Sequence, residues 1–214
     1  MADLLPGNER LIMRKLKGVV VALMLLQFVP VDASASFIPA HREQVLTAAN
    51  TVSLKSKWMY ALSKSKNELK RLEQGSMKRF FQYVRTLSPQ VQVYLVNQWV
   101  NREIKYVQED KGGDRWQSIG ESLSLRSGDC EDFALAKYAM LSYLGHSVDN
   151  LLMVGGVTRQ SKKHVVLYVR FGNDVLALDN LNRYVVRSNI HVRSFRPIYG
   201  FRDQVSRLYL YRVV

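Results

Sequence analysis

The sequence contains a single cysteine, Cys130, among its 214 residues. One cysteine excludes an intrachain disulfide, so the fold must be held together by its hydrophobic core. Long apolar runs are also lacking: the stretch Val19–Val29 has eleven residues, whereas a membrane-spanning helix needs about 20. Internal repeats and low-complexity segments are absent from the sequence as well. The length therefore predicts one globular domain, with at most a short appendage.

The N-terminal segment has the pattern of an export signal. The basic residues Arg14, Lys15 and Lys17 precede the apolar stretch, and Ala33-Ser34-Ala35 fits a small-residue cleavage site. We therefore predict that residues 1–35 are a secretory signal peptide and that residues 36–214 form a single exported domain. An uncleaved N-terminal anchor is the alternative.

Acidic residues are scarce relative to basic ones. The formal net charge is +13, and it is about +12 for residues 36–214. Such a surface suits acidic partners or an anionic membrane, although part of the excess is typical of a solvated helix face. We expect no nucleic-acid partner, because no nucleic-acid-binding module is visible and the chain is predicted to be exported.

The hydrophobic pattern changes its period midway along the chain. From about residue 40 to 107 the apolar residues recur at helical spacing, with Ser88 and Pro89 marking the start of one helix. These stripes predict core packing rather than a cofactor site. After about residue 150 the period is two, which predicts strands. The fold class is therefore α+β, with helices packed on one face of an antiparallel sheet. The predicted strands are 151–157, 163–171, 174–179, 184–186 and 208–213.

Cys130 lies at the predicted start of a helix. Asp129 is a good N-cap residue, apolar residues follow at helical spacing, and Gly145 ends the helix. At the first helical position, unpaired backbone N–H groups and the helix dipole favour a thiolate over a thiol. Cys130 is thus a candidate nucleophile. The alternative is a buried, inert cysteine, which on this segment alone is at least as common.

A hairpin supplies two further candidate groups. Gly172-Asn173 predicts a two-residue turn, and the resulting register makes His164 and Asp179 diagonal neighbours on one sheet face. Such neighbours lie roughly 7 to 8 Å apart at the backbone, within reach of an imidazole and a carboxylate. Together with Cys130 they would form a Cys-His-Asp triad, in which Cys130 attacks, His164 moves the proton and Asp179 orients the ring. The alternative is a pair near the strand ends without a catalytic task.

These segments resemble a known family. Gly128-Asp129-Cys130-Glu131-Asp132, His164-Val165-Val166-Leu167 and Leu178-Asp179-Asn180-Leu181, in this order, are similar to the bacterial transglutaminase-like cysteine proteinases of the LapG type. The resemblance also takes in Asn101 and Tyr106. It implies a papain-like, transglutaminase-like fold with the triad Cys130, His164 and Asp179.

The resemblance also implies a function. Enzymes of this type are periplasmic and calcium-dependent, and they cut large surface adhesins near their N-terminus, which releases cells from a biofilm. An inner-membrane receptor for cyclic di-GMP sequesters the protease while that messenger is abundant. Two alternatives stay open: a transglutaminase-type acyl transferase, and a catalytically silent binding protein of the same fold.

The implied calcium requirement agrees with the acids around the cysteine. Asp129 and Glu131 flank the nucleophile, and their charge opposes thiolate formation. A hard cation held by their oxygens would cancel that effect. We expect Asp129 and Glu131 to be Ca²⁺ ligands, with Asp114 a weaker candidate, whereas first-turn acids that only stabilise the helix are the alternative. The Cys130 backbone N–H is the expected oxyanion donor, and Trp116 a weaker second one.

Overall fold

The chain forms a layer of helices on one face of an antiparallel sheet, as predicted. The computed structural model describes residues 41–46, 52–108, 115–202 and 208–213. The predicted signal peptide and Asp114 lie outside these residues. Nowhere in the described ranges is there a helix with the length and apolar character needed to cross a bilayer.

Six α-helices are described, and most begin where the sequence predicts. Ser88 is the N-cap of the helix that starts at Pro89, and Asp129 is the N-cap of the helix that starts at Cys130. A left-handed backbone at Gly145, with φ of 96°, follows the end of that helix. The helices are α1 (Val52–Gln74), α2 (Lys78–Val84), α3 (Pro89–Glu103), α4 (Ile119–Leu125), α5 (Cys130–Tyr143) and α6 (Ser188–His191).

Helix α5 is the centre of the molecule. Every side chain from Glu131 to Leu141 is buried, because α1, α3 and α4 pack on one side of the helix and the sheet packs on the other. The sequence predicted a single apolar stripe on this helix, and the structure instead buries its whole circumference. A helix in such a position holds its first residue rigidly, which matters for Cys130.

The main sheet has seven strands in the order β1-β9-β8-β4-β5-β6-β7, all antiparallel. A separate parallel pair, β2 with β3, lies before α5. The prediction of helix from about residue 40 was wrong at its start: residues 41–46 form a strand because they pair with the last strand of the chain. The strands are β1 (His41–Leu46), β2 (Lys105–Tyr106), β3 (Ser127–Gly128), β4 (Leu151–Thr158), β5 (Lys163–Phe171), β6 (Asp174–Leu178), β7 (Val186–Arg187), β8 (Phe195–Phe201) and β9 (Leu208–Val213).

Strand β8 was not predicted, and its composition explains why. It contains Pro197, which cannot donate to a ladder and is usually confined to edges and bulges. Here Pro197 is opposite Gly156, at a point where the register between β4 and β8 shifts. The irregular pairing accommodates the proline inside the sheet.

The hairpin of β5 and β6 has the predicted register, with Phe171 opposite Asp174 and Leu167 opposite Leu178. Its two faces pack differently. The face with Val165, Leu167 and Leu176 joins the core beneath the helices. The opposite face joins a smaller cluster that is completed by Phe195. Both faces are therefore buried, and polar groups on either one need partners.

Candidate active site

Cys130 lies where α5 meets the sheet. Its Sγ donates a hydrogen bond to Oε2 of Glu131 at 3.1 Å, and the backbone N–H of Val165 points at the sulfur from β5. Burial raises the pKa of the thiol above its usual range, and the neighbouring Glu131 carboxylate raises it further. The expectation that the helix start would favour a thiolate is therefore not met by these groups alone.

His164 and Asp179 are in direct contact. The Nε2–H of His164 donates to Oδ1 of Asp179 at 2.7 Å, and both side chains are buried. The hairpin register places them on one face, as the sequence predicted. His164 is also the residue before Val165, whose N–H faces the sulfur of Cys130. The structure thus brings Cys130, His164 and Asp179 to one end of the hairpin.

Asp179 has a second histidine partner that the sequence did not predict. The Nε2–H of His191 donates to Oδ2 of Asp179 at 2.9 Å, and Nδ1 of His191 is bonded to the hydroxyl of Tyr168 at 2.8 Å. His191 belongs to the short helix α6 and is buried. The one signal of this contact in the sequence is Tyr168, because a hydroxyl inside an apolar strand needs a hydrogen-bond partner.

The carboxylate of Asp179 accepts four hydrogen bonds. Besides the two histidines, the backbone N–H of Leu181 donates to Oδ1 at 2.9 Å, and the side-chain amide of Asn182 donates to Oδ2 at 3.0 Å. Burial by itself would raise the pKa of Asp179, but the bonds from His164 and His191 outweigh it and hold that pKa well below its usual range. Asp179 is therefore a fixed carboxylate, which is the form that can orient an imidazole.

Two polar side chains from the helices hold the segment around Asp179. The amide of Asn101, in α3, donates to the backbone carbonyl of Asp179 at 3.3 Å. The ammonium group of Lys137, in α5, donates to the carbonyl of Leu178 at 3.1 Å. Lys137 is fully buried, and burial lowers its pKa to about 7. Two helices therefore bind the backbone carbonyl groups directly before and after the Cα atom of Asp179.

The acids near Cys130 divide into two kinds. One carboxylate oxygen each of Asp129 and Glu131 and the sulfur of Cys130 lie within 4.8 Å of one another. Both acids are largely buried, and two adjacent buried carboxylates are the hard oxygen donors that a divalent cation such as Ca²⁺ prefers. The donor set therefore fits the expected ion, and further ligands have to come from outside this pair.

Asp132 has a structural task instead. Its Oδ1 accepts from the backbone N–H of Gln117 at 2.7 Å, and its Oδ2 accepts from the backbone N–H of Asp129 at 3.1 Å. It thus ties the preceding loop to the start of α5.

Trp116, considered as a second oxyanion donor, is 6% exposed and packs between Trp58 and Phe201 at ring distances of 6.1 and 5.8 Å. Its ring belongs to the core.

Comparison with known proteins agrees with this arrangement. The family model for the bacterial transglutaminase-like cysteine proteinases, BTLCP, matches residues 60–192. Those residues include Cys130, His164, Asp179 and His191. A comparison with curated proteins finds no match.

Among solved structures, Legionella pneumophila LapG is 25% identical with a TM-score of 0.56, over 70% of this chain and 87% of that one. A calcium-bound form of the same protein is 23% identical with a TM-score of 0.56, over 64% and 83% of the two chains. An EGTA-treated form is 25% identical with a TM-score of 0.53, over 66% and 81%. The chain belongs to the bacterial transglutaminase-like cysteine proteinases and is a cysteine protease with the fold of LapG.

Proposed function

We propose that this chain is a calcium-dependent periplasmic endopeptidase that uses Cys130 as nucleophile, His164 as general acid and base, and Asp179 as the group that orients His164. The observation that carries the proposal is the 2.7 Å bond between His164 and Asp179, with His164 directly before Val165, whose backbone N–H faces the Cys130 sulfur. Family membership supplies the reaction class.

We assign roles to the two nitrogens of His164 from its hydrogen bond to Asp179. Its Nε2 carries the proton that bonds to Oδ1 of Asp179, so Nδ1 is the nitrogen that accepts the proton of the Cys130 thiol. Four donors hold the Asp179 carboxylate in place, which fixes the plane of the imidazole. Asp179 also stabilises the imidazolium that forms when the proton moves.

The reaction then follows the acyl-transfer scheme. The Cys130 sulfur attacks the scissile carbonyl carbon, and the oxyanion is bound by the Cys130 backbone N–H at the start of α5. The imidazolium of His164 gives its proton to the departing amine, which leaves a thioester on Cys130. A water molecule that loses a proton to His164 hydrolyses the thioester and restores the thiol.

We assign the expected calcium ion to Asp129 and Glu131. When bound there, Ca²⁺ would supply positive charge beside the sulfur and offset the two carboxylates that disfavour the thiolate. In the structure described here the thiol hydrogen points at Oε2 of Glu131, so the S–H bond has to turn away from Glu131 before His164 can accept its proton. LapG is known in a calcium-bound and in an EGTA-treated form, which supports a role for calcium in this family.

The substrate that we propose is the N-terminal region of a large surface adhesin, whose release disperses a biofilm. The proposed regulator is an inner-membrane receptor for cyclic di-GMP that sequesters the protease. Support comes from the resemblance of the Cys130, His164 and Asp179 segments to LapG-type enzymes and from the positive charge of residues 36–214, which suits acidic partners. Residues 1–35 serve, in this proposal, to export the domain.

The test uses residues 36–214 and the N-terminal region of an adhesin that is encoded beside the protease. We expect one cut in the presence of calcium, and no cut after chelation or with Cys130→Ala. His164→Ala should be inactive, whereas His146→Leu, which alters a histidine bonded to Gln92, should cleave like wild type. A gain in mass that needs an added amine, without chain scission, would indicate a transglutaminase instead. Equal behaviour of wild type and Cys130→Ala would indicate a binding protein.

A further inference from the structure

We propose that His191 is a positioning residue for the Asp179–His164 pair and that the Tyr168 hydroxyl sets its tautomer. The inference rests on the proposed function, because it concerns the same catalytic pair. It extends the site from three groups to five, arranged in the order Tyr168, His191, Asp179, His164 and Cys130. The hydrogen bonds of Tyr168 and His191 connect them to each other and to Asp179, so each acts through Asp179.

The contacts from Tyr168 through His191 and Asp179 to His164 are continuous and closed to solvent. Tyr168 is fully buried and His191 is 2% exposed, compared with 3% for Asp179 and 5% for His164. The bond between Tyr168 and His191 is 2.8 Å, and the bond between His191 and Asp179 is 2.9 Å. The ring of Phe195 lies 5.1 Å from the His191 ring and 6.0 Å from the His164 ring, so an apolar wall covers both histidines.

The position of each hydrogen determines which atom donates in each hydrogen bond. Burial raises the pKa of Tyr168, so its hydroxyl keeps its proton. His191 is the one hydrogen-bond partner of that hydroxyl among the described residues, so the proton points at Nδ1 of His191 and that nitrogen carries none. The hydrogen of His191 is then on Nε2, which faces Asp179. Tyr168 thus selects the tautomer that donates to Asp179.

His191 completes the restraint on Asp179. Oδ1 accepts from His164 and Leu181, while Oδ2 accepts from His191 and Asn182. Without His191, Oδ2 retains only the amide of Asn182, which lies in the loop after β6. The carboxylate then rotates more freely, and His164 is held less firmly in the plane that aims Nδ1 at the thiol.

The same contact influences the protonation of Asp179. The titratable groups that face this carboxylate are His164 and His191 by hydrogen bonds, and Lys137 and Tyr168 by their charge interactions with it. The bond from His191 is one of the two that hold the pKa of Asp179 down. Its removal raises that pKa, so the acid limb of the pH profile of kcat should move to higher pH.

A purely structural polar cluster would give different kinetics. If Tyr168 and His191 only filled the core, their variants would lower stability without altering kcat or its pH profile. A positioning role lowers kcat while leaving KM nearly unchanged, because the contact matters most in the transition state. It also makes the two residues act as one unit, so their effects should not multiply.

The experiment measures kcat and KM for cleavage of the adhesin N-terminal region, together with thermal unfolding, at saturating calcium. The four variants are His191→Leu, Tyr168→Phe, the combination of these two and His191→Gln. We expect His191→Leu to lower kcat by about 10-fold or more with KM within about twofold. Tyr168→Phe should lower kcat less, and it should add nothing in the His191→Leu background. His191→Gln keeps an N–H donor and should recover much of the loss. Undiminished kcat in a folded His191→Leu protein, or multiplicative effects, would overturn the proposal.

Two matched controls lie far from the site. Tyr143→Phe removes a hydroxyl that is bonded to Glu73 at the other end of α5, about 20 Å along the helix from Cys130. His146→Leu removes the bond to Gln92. Both should keep wild-type kcat and pH profile, whatever they do to stability.

Histidine ¹⁵N NMR tests the network without any substrate. We expect the hydrogen of His191 to be on Nε2, and Tyr168→Phe to change the Nδ1 signal. A proton on Nδ1 of His191 in wild type would overturn the inference even if His191→Leu fails to fold. Failure of the proposed function is distinguishable: wild type would cleave nothing, or Cys130→Ala would cleave normally, whereas the NMR result would stand.

Discussion

The ammonium group of Lys137 lies 3.1 Å from the carbonyl oxygen of Leu178, the residue before Asp179, in a region closed to solvent. The ring of Phe133, one turn earlier on α5, is 5.9 Å from the same nitrogen. Burial disfavours the charge on Lys137, while the carboxylate of Asp179 partly restores it, and the pKa is about 7. The helix that carries Cys130 thus binds the strand that leads to Asp179 through a titratable group.

This lysine should make stability depend on pH. Its pKa is about 7 in the folded protein, against an ordinary value of 10.5 for a lysine. Between these values the unfolded chain binds more protons than the folded protein, so the free energy of unfolding should rise with pH. Below about pH 7 both states are protonated, and the full cost of burying the charged lysine lowers the stability. Relative to Lys137→Met, wild type should gain a few kcal/mol between pH 7 and 10, by about 1.4 kcal/mol for each pKa unit crossed.

Urea unfolding at several pH values measures this gain. Lys105→Met, at an exposed position in β2, is the control, and its free energy of unfolding should depend on pH as that of wild type does. Parallel curves for wild type and Lys137→Met would show that Lys137 titrates normally.

Asp179→Asn should inactivate the enzyme with little change in shape. The amide cannot accept from both His164 and His191 as the carboxylate does, so one imidazole is forced into another tautomer. The same substitution in a serine protease triad costs about 10⁴-fold in kcat, and we expect a loss of about 10³-fold or more. Asp174→Asn, at the other end of β6 and paired with Arg187 at the surface, should retain activity. A loss below 10-fold for Asp179→Asn would contradict the role of Asp179.

Calcium should stabilise the folded protein through Glu131 and Asp129. A bound ligand at 100 times its Kd adds about 2.7 kcal/mol to the free energy of unfolding, so Tm should rise on calcium addition and fall back with EGTA. Glu131→Gln and Asp129→Asn should each weaken that response by about 10-fold in calcium concentration. Glu103→Gln changes an exposed acid that is paired with Arg102 and should leave it intact. An unaltered response in both site variants would place the ion elsewhere.

Gly156 should be intolerant of any side chain. It is opposite His164 in the ladder between β4 and β5. A Cβ there would lie 2.3 Å from the backbone oxygen of Arg196 and 2.7 Å from the Phe195 ring. Gly156→Ala should therefore cost about 2 kcal/mol or more, because the backbone of β8 has to move.

The matched substitution is Gly75→Ala, where the nearest atom to a Cβ is 3.5 Å away, an ordinary contact. It should change stability by less than about 0.5 kcal/mol. Thermal unfolding of the two variants measures the difference. Equal stabilities would mean that β8 adapts without strain.

The sequence predicted those parts of the site that depend on local rules. The two-residue turn at Gly172-Asn173 determines the hairpin register, and the register by itself brings His164 beside Asp179. Likewise Asp129 marks the start of α5 through its preference for the N-cap. Both signals span few residues, so they survive without knowledge of the tertiary structure.

The missing parts depend on distant contacts. His191 lies in a helix of four residues that has no periodic pattern of its own. Strand β1 exists because it pairs with β9, more than 160 residues away along the chain. The raised pKa of Cys130 comes first from burial, which no local pattern reports. In each case a tertiary contact overrides or supplies what the local sequence lacks.

The hairpin has one more consequence, for how the site can fail. The contact of His164 with Asp179 is local, since the two residues are 15 positions apart in one hairpin, whereas Cys130 reaches this end of the hairpin only through the packing of α5 on β5. A substitution that loosens this packing therefore displaces the sulfur and leaves the histidine and the carboxylate paired. Such a variant would be inactive with its His164–Asp179 hydrogen bond intact.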